Sequence, residues 1–293
     1  MSETIETIRR KIDRAGMLRS VVRTMKTLAA SSIRQYEDAV CSLEDYFNTV
    51  ELGLSAFLAQ EQRKNAGPGG GSMITIAIVF GSDQGLVGQF NDTLSDYVAA
   101  QFGKSYEKLQ IIAVGERINA RLSDAVTKPQ RLFPVPNSVN AITGLVGSLL
   151  GETEKIRERN PDIEVKLFYN SPLSGEHYQS TAKRILPVDE AWKQGIRRTA
   201  WPTKAVPQLI GDPLALEWAL LREYLFVSIF RACAESLASE NSSRLAAMQR
   251  AEKNIDDMLQ NLMQSYHSQR QEMIDEELFD VISAFNALNG NGG

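Results

Sequence analysis

The chain has 293 residues, 23% charged and 43% hydrophobic, with a net charge of −4. That is enough chain for one large or two ordinary domains, and its slight acidity argues against a general nucleic-acid binder. No apolar run approaches the roughly 20 residues of a membrane span, and MSETIETIRR is neither a signal peptide nor an Arg-rich transit peptide, so a cytosolic or membrane-peripheral protein is expected.

The first element, within residues 1–64, is a long helix. From Ile5 to Phe57 a heptad runs almost without a break. One position holds Ile5, Ile12, Arg19, Lys26, Ile33, Val40, Phe47 and Leu54; the other holds Ile8, Ala15, Val22, Ala29, Tyr36, Leu43, Val50 and Phe57. Only Arg19 and Lys26 are polar among them. A helix of this length, about 80 Å, favours a coiled coil over a globular bundle. Charge is segregated along it. Cations dominate as far as Arg34, and only acids follow from Glu37 to Glu61. A basic tip suggests an anionic partner: an acidic protein surface, nucleic acid or phospholipid. Chance clustering on a solvated face is the other reading.

Residues 65–72, NAGPGGGS, form a flexible loop that ends the first helix. The pattern then changes to an α/β alternation over residues 73–190. Met73 to Phe80 is a continuous apolar run suited to a buried strand. A Gly-rich turn leads into a helix that ends near Phe102. Leu109 to Gly115 is a second buried strand, and Glu116 to Ala125 a short helix. Residues 131–135 fit an edge strand, since Pro134 and Pro136 limit its pairing. Ser138 suits the N-cap of a helix through Arg159. Asp162 to Asn170 is a further strand, and His177 to Val188 alternates as its antiparallel return. A mainly parallel sheet follows. Residues 191–211, rich in Trp and Pro, connect it to the last element.

That element, residues 212–288, has no proline after Pro213 and no glycine before the short tail 289–293. Its apolar residues recur at steps of three and four. As one helix it would span on the order of 110 Å, and such a helix needs a partner along its length. The N-terminal helix supplies it. Both leave the middle domain, so they run antiparallel. The fold class expected is α/β with long helices: an antiparallel coiled coil of the two terminal helices plus an inserted Rossmann-like α/β domain.

No catalytic, cofactor or metal site is expected. The loop Gly81 to Gly88 is neither G-x-G-x-x-G nor a P-loop. Ser82 and Asp83 satisfying local backbone groups explain it without a ligand. His177 and His267 show no metal-ligand spacing. Cys41 and Cys233 read as reduced structural thiols rather than a redox pair. The residues alone give a scaffold or mechanical element. A nucleotide-binding α/β enzyme and a coiled-coil scaffold are the alternatives.

Three separated stretches resemble one family, the gamma subunit of F-type ATP synthases. Ile8 to Arg34 lies without a gap on that family's N-terminal helix, sharing Ile8, Lys11, Ile12, Met25, Ala29, Ala30, Ser31 and Arg34. FGSDQGLVGQFN is similar to its turn motif through Ser82, Asp83, Gly85, Leu86, Gly88 and Asn91. ASENSSRLAAM matches at Ser239, Glu240, Arg244, Ala247 and Met248, followed by Arg270, Gln271, Ile274, Glu277, Leu278 and Asp280. Departures mark a divergent member. Asp275 stands for a family Thr, Ala284 and Phe285 for Gly-Ala, and Met17 and Val22 for Asn and Thr. The resemblance implies a non-catalytic rotor shaft, without cofactors, on the cytoplasmic face of a bacterial cell membrane. Its implied partners are alpha, beta and epsilon subunits and a membrane ring of c subunits, with no nucleic acid. Contacts to the catalytic ring would fall on Met25 and Lys26 of the first helix and Arg270 and Gln271 of the last, with Ile282 and Phe285 in an apolar sleeve. The coupled ion, proton or sodium, is selected in the ring rather than in the shaft.

Overall fold

The computed structural model describes residues 4–60, 73–103, 108–160, 162–173, 178–188, 201, 203, 207–208 and 210–289. The expected loop at 65–72, His177, Trp192 and most of the connecting segment 191–211 lie outside the described residues. The chain gathers into two compact units, Ala29–Arg244 and Met1–Leu28 with Leu245–Gly293.

The first helix, α1, runs Ile5–Gln60. Every one of its heptad positions is buried or half-buried, Arg19 and Lys26 included. Helical spacing alone therefore found the covered face. The middle of the chain builds a five-stranded sheet. Its strands are β1 Ile74–Phe80, β2 Leu109–Val114, β3 Arg131–Phe133, β4 Ile163–Pro172 and β5 Tyr178–Leu186. They stand in the order β3-β2-β1-β4-β5. The first four are mutually parallel, and β5 returns antiparallel to β4. The three-residue β3 lies at the edge, where a strand followed by Pro134 and Pro136 can pair on one side only.

Three helices pack on the sheet: α2 Phe90–Phe102, α3 Glu116–Ala125 and α4 Val139–Arg159. One sheet face, with Ala77, Val79, Ile111 and Phe168, packs on Leu94 and Val98 of α2 and Ile118 and Leu122 of α3. The other face, with Ile76, Ile78, Val114 and Leu167, packs on Ile142 and Leu149 of α4 and on the long helices. Covering both faces is why β1 reads as an unbroken apolar run rather than an alternation. Each such buried side chain contributes about 1.5–3 kcal/mol relative to exposure. Ser138 occupies the N-cap of α4 with an extended backbone, but its hydroxyl makes no capping bond; the expected cap is one of position only.

The last helix, α5, runs Pro213–Asn289. Within Ala29–Arg244 it pairs antiparallel with α1. The Tyr46 hydroxyl donates to Glu223 at 2.6 Å, and the Phe47 and Tyr224 rings lie 6.2 Å apart. Residues 232 to 241 of α5 are buried without interruption. A single partner helix covers one side only; the end of β1 and the turn after it lie against this stretch as well.

Candidate functional site

The turn after β1 and the middle of α5, two of the stretches singled out in the sequence, meet in space. β1 ends at Phe80, and the Gly81 N–H donates to Val114 O at 2.9 Å. No side chain fits at Gly81, since a Cβ there would lie 2.2 Å from Cβ of Ile118. Ser82 is fully buried. Its N–H donates to Asn91 Oδ1 at 3.0 Å, Asn91 Nδ2 donates to Ser82 Oγ at 2.8 Å, and Ser82 Oγ donates to Gln84 O at 2.9 Å.

Asp83 reaches further along the chain than its turn. One carboxylate oxygen accepts the Glu116 N–H at 3.0 Å, the other the Val135 N–H at 2.9 Å. Glu116 opens α3, and the N–H groups of a first helical turn lack intrahelical acceptors. Asp83 thus fills the place that a bound phosphate would take at that helix N-terminus. Gly88 adopts the left-handed φ of 58° and Leu86 one of 63°. At Gly85 a Cβ would meet only ordinary contacts with Arg117.

α5 grips this turn at both ends. Ser236 Oγ donates to Phe80 O at 3.0 Å, and Ser243 Oγ donates to Val87 O. The two serines are seven residues apart, which places them on one helix face. Beside them Glu240 and Arg244 form an ion pair with side-chain exposures of 6% and 15%, and Arg244 Nη1 also donates to Asn241 Oδ1 at 3.1 Å. Burial pushes the Glu240 carboxyl above its usual range, against the pull of Arg244. Ser239 is buried as well, and its hydroxyl has no hydrogen-bond partner among the described residues.

A second attachment joins β4 to α5. Ser171 Oγ and Arg231 Nε both donate to Glu235, at 2.9 and 2.7 Å. Burial first, with Glu235 beside it, raises the Tyr169 hydroxyl to about 12. Asn170, fully buried, donates to Phe90 O at 3.0 Å and accepts from Ser180 at 2.7 Å. These groups are saturated by one another. The arrangement joins sheet and helix through buried hydrogen bonds.

The residues expected to meet a catalytic ring lie elsewhere, in the unit of Met1–Leu28 with Leu245–Gly293. There the basic stretch of α1 faces acids of α5: Arg19 with Asp256 at 2.7 Å, Arg23 with Glu252 at 2.8 Å and Lys26 with Glu252 at 2.6 Å. An anionic partner for these three cations is therefore supplied by the chain itself. Hydrogen bonds from Lys26 and Arg23 hold the Glu252 carboxyl down to about 2. Met25 is half-buried, whereas Arg270, Gln271, Glu277 and Asp280 are exposed on α5. Ile282 is half exposed at 50%, and the side chain of Phe285 lies outside the described residues.

Sequence reading missed Gly81, Gly115, Asn170, Ser236 and Ser243. Gly115 takes φ 117°, and Ser82 O lies only 2.7 Å from where its Cβ would stand, a conformation and closeness that suit glycine. Cys41 is exposed and Cys233 buried, and each is a free thiol; burial raises the Cys233 thiol far above its ordinary value. Among the described residues no three His, Cys, Asp or Glu side chains could hold a metal ion. No described helix is long and apolar enough to cross a membrane.

Comparison with known proteins places this geometry. The family model described as ATP synthase matches residues 4–288. The ATP synthase gamma chain of Bdellovibrio bacteriovorus is 22% identical over 98% of this chain and 99% of its own length. That of Anaeromyxobacter dehalogenans is 26% identical over 97% and 99%. Among solved structures, a chain from the Euglena gracilis mitochondrial ATP synthase, determined with OSCP, F1 and the c-ring, aligns with a TM-score of 0.67. The alignment covers 99% of this chain and 96% of that one at 17% identity, a likeness of fold. A chain of the rotor of the same Euglena complex aligns at 0.64 over 92% and 98%. Over residues 4–288, from the start of α1 almost to the end of α5, this chain belongs to the gamma-chain family of ATP synthases.

Proposed function

We propose that this chain is the central-stalk subunit of an F-type ATP synthase or ATPase, carrying rotation between a membrane ion-translocating ring and a catalytic ring of alpha and beta subunits. The observation that carries the reading is the family match over residues 4–288, joined to a buried polar lock that fastens the sheet to α5. Torque entering through the α/β domain needs a joint that does not yield, and buried, mutually satisfied hydrogen bonds supply one.

The subunit itself is non-catalytic in this reading. Its partners are alpha, beta and epsilon subunits and the c-ring, and it is peripheral to the membrane, at the cytoplasmic face in a bacterial cell. Arg270 and Gln271, exposed on α5, contact the beta subunits, with Met25 and Lys26 contributing from α1. Lys26 already serves Glu252, so its contribution is positional more than ionic. Ile282 and Phe285 belong to an end that turns in an apolar sleeve.

The test is reconstitution with cognate alpha and beta subunits. Co-elution in one large complex with raised ATP turnover is expected, and Arg270→Ala with Gln271→Ala should lower coupled turnover while the complex still assembles. A chain that stays apart from competent partners, with turnover unchanged, would refute the rotor role.

A further inference from the structure

Between Ala15 and Ala29 the covered stripe of α1 is poorly apolar. Its members are Ala15, Arg19, Val22, Lys26 and Ala29, all buried or half-buried. A second stripe on the same stretch is more hydrophobic yet points to solvent: Met17, Val21 and Leu28 are 70%, 56% and 62% exposed. Their spacing of four and seven also follows one helix face. Taken by itself, the stretch 15–29 would gain more apolar burial with Met17, Val21 and Leu28 toward α5; the heptad on either side, with Ile8, Ile12, Ile33 and Tyr36 covered, works against that turn. The structure shows the opposite orientation, and the groups opposing it are visible. Glu252 receives both Arg23 and Lys26, and Asp256 receives Arg19.

We propose that Glu252 and Asp256, by pairing with Arg19, Arg23 and Lys26, select which face of α1 lies on α5 and so keep the Met17–Val21–Leu28 stripe outward. They are positioning residues; the inference rests on the rotor reading only in that the stripe so presented faces the surrounding catalytic ring. Polar groups in a helix seam commonly set orientation and register rather than stability. Single exposed ion pairs contribute little, but here one carboxylate serves two cations and the seam offers little apolar area to compete. The device is also electrostatic, so salt weakens it.

The experiment uses the full chain with Cys41→Ser and Cys233→Ala, carrying either Val21→Cys or Val22→Cys, labelled with a maleimide. These neighbours point about 100° apart around the helix. With Glu252 and Asp256 present, Cys at 21 should react several-fold faster than Cys at 22. In Glu252→Gln/Asp256→Asn the ratio should fall toward one or invert, with helicity by circular dichroism retained. Exchanging the charges (Arg19, Arg23 and Lys26 to Glu; Glu252 and Asp256 to Arg) should restore the ratio. An unchanged ratio in the neutralised variant, or a folded charge-exchanged variant that does not recover it, overturns the proposal. In the assembled complex the neutralised variant should pump fewer ions per ATP hydrolysed; full coupling beside a collapsed ratio overturns the positioning role. Failure of the wild-type chain to assemble would count against the rotor reading and leave the labelling result standing.

Discussion

Arg244 and Glu240 face each other one turn apart on α5, both largely withdrawn from solvent. Removing one member of such a pair leaves the other charged and unpaired, so Arg244→Ala should cost about 3 kcal/mol or more. Urea denaturation checks this, and a loss below about 1 kcal/mol would mean that water replaces the guanidinium without penalty. Glu252 has the opposite character. Its carboxyl is lowered from 4.5 to about 2 by Lys26 and Arg23, so its contribution is complete above the unfolded value and is lost as pH falls from about 5 to about 2. Thermal melts across that range should show a steeper acid loss for the wild-type chain than for Glu252→Gln; parallel curves would contradict the pairing. At this scale the sequence was only half legible. Ser82 and Asp83 could be marked from the turn pattern, but Asp83 serves N–H groups 33 and 52 residues away, and no local spacing announces that. Ser236 and Ser243 were invisible for a related reason: a lone serine within a helix carries no pattern, and only the fold puts Phe80 and Val87 above it.

Among the elements, long periodic segments were the most legible. The α1 stripe was correct at every position because a coiled-coil face is local and repetitive. β1 and β2 were clear because strands covered on both faces are apolar throughout. Arg19 and Lys26 stood out as exceptions in the stripe, yet their partners on α5 could not be paired by inspection, since a helix with many acids offers many registers. Ser138 shows the converse, a residue of the right type in the right place whose side chain is not used. For α5 the decisive position is Ala238, 3% exposed and inside the continuously buried segment. Ala238→Pro removes a helical hydrogen bond and drives its ring into the preceding turn, at a cost of about 3 kcal/mol or more. The melting temperature should fall sharply, and an unchanged melt would contradict a continuous helix there.

For the whole molecule, the family match from residue 4 to 288 and the polar joint between sheet and α5 fit a part that transmits motion. Its most constrained groups are accordingly hydrogen-bonded pairs such as Ser82 with Asn91, each occupied by the other. The joint ties β1, the turn after it and β4 to α5, so a force applied to the α/β domain reaches the helix through several bonds at once. The central claim is rotation. The most direct measurement fixes the alpha–beta ring to a surface and attaches a bead through Ser123→Cys on α3, in a chain with Cys41→Ser and Cys233→Ala. Unidirectional turning of the bead during ATP hydrolysis is the predicted result. Hydrolysis at full rate with a stationary bead, in complexes that contain the chain, would contradict it.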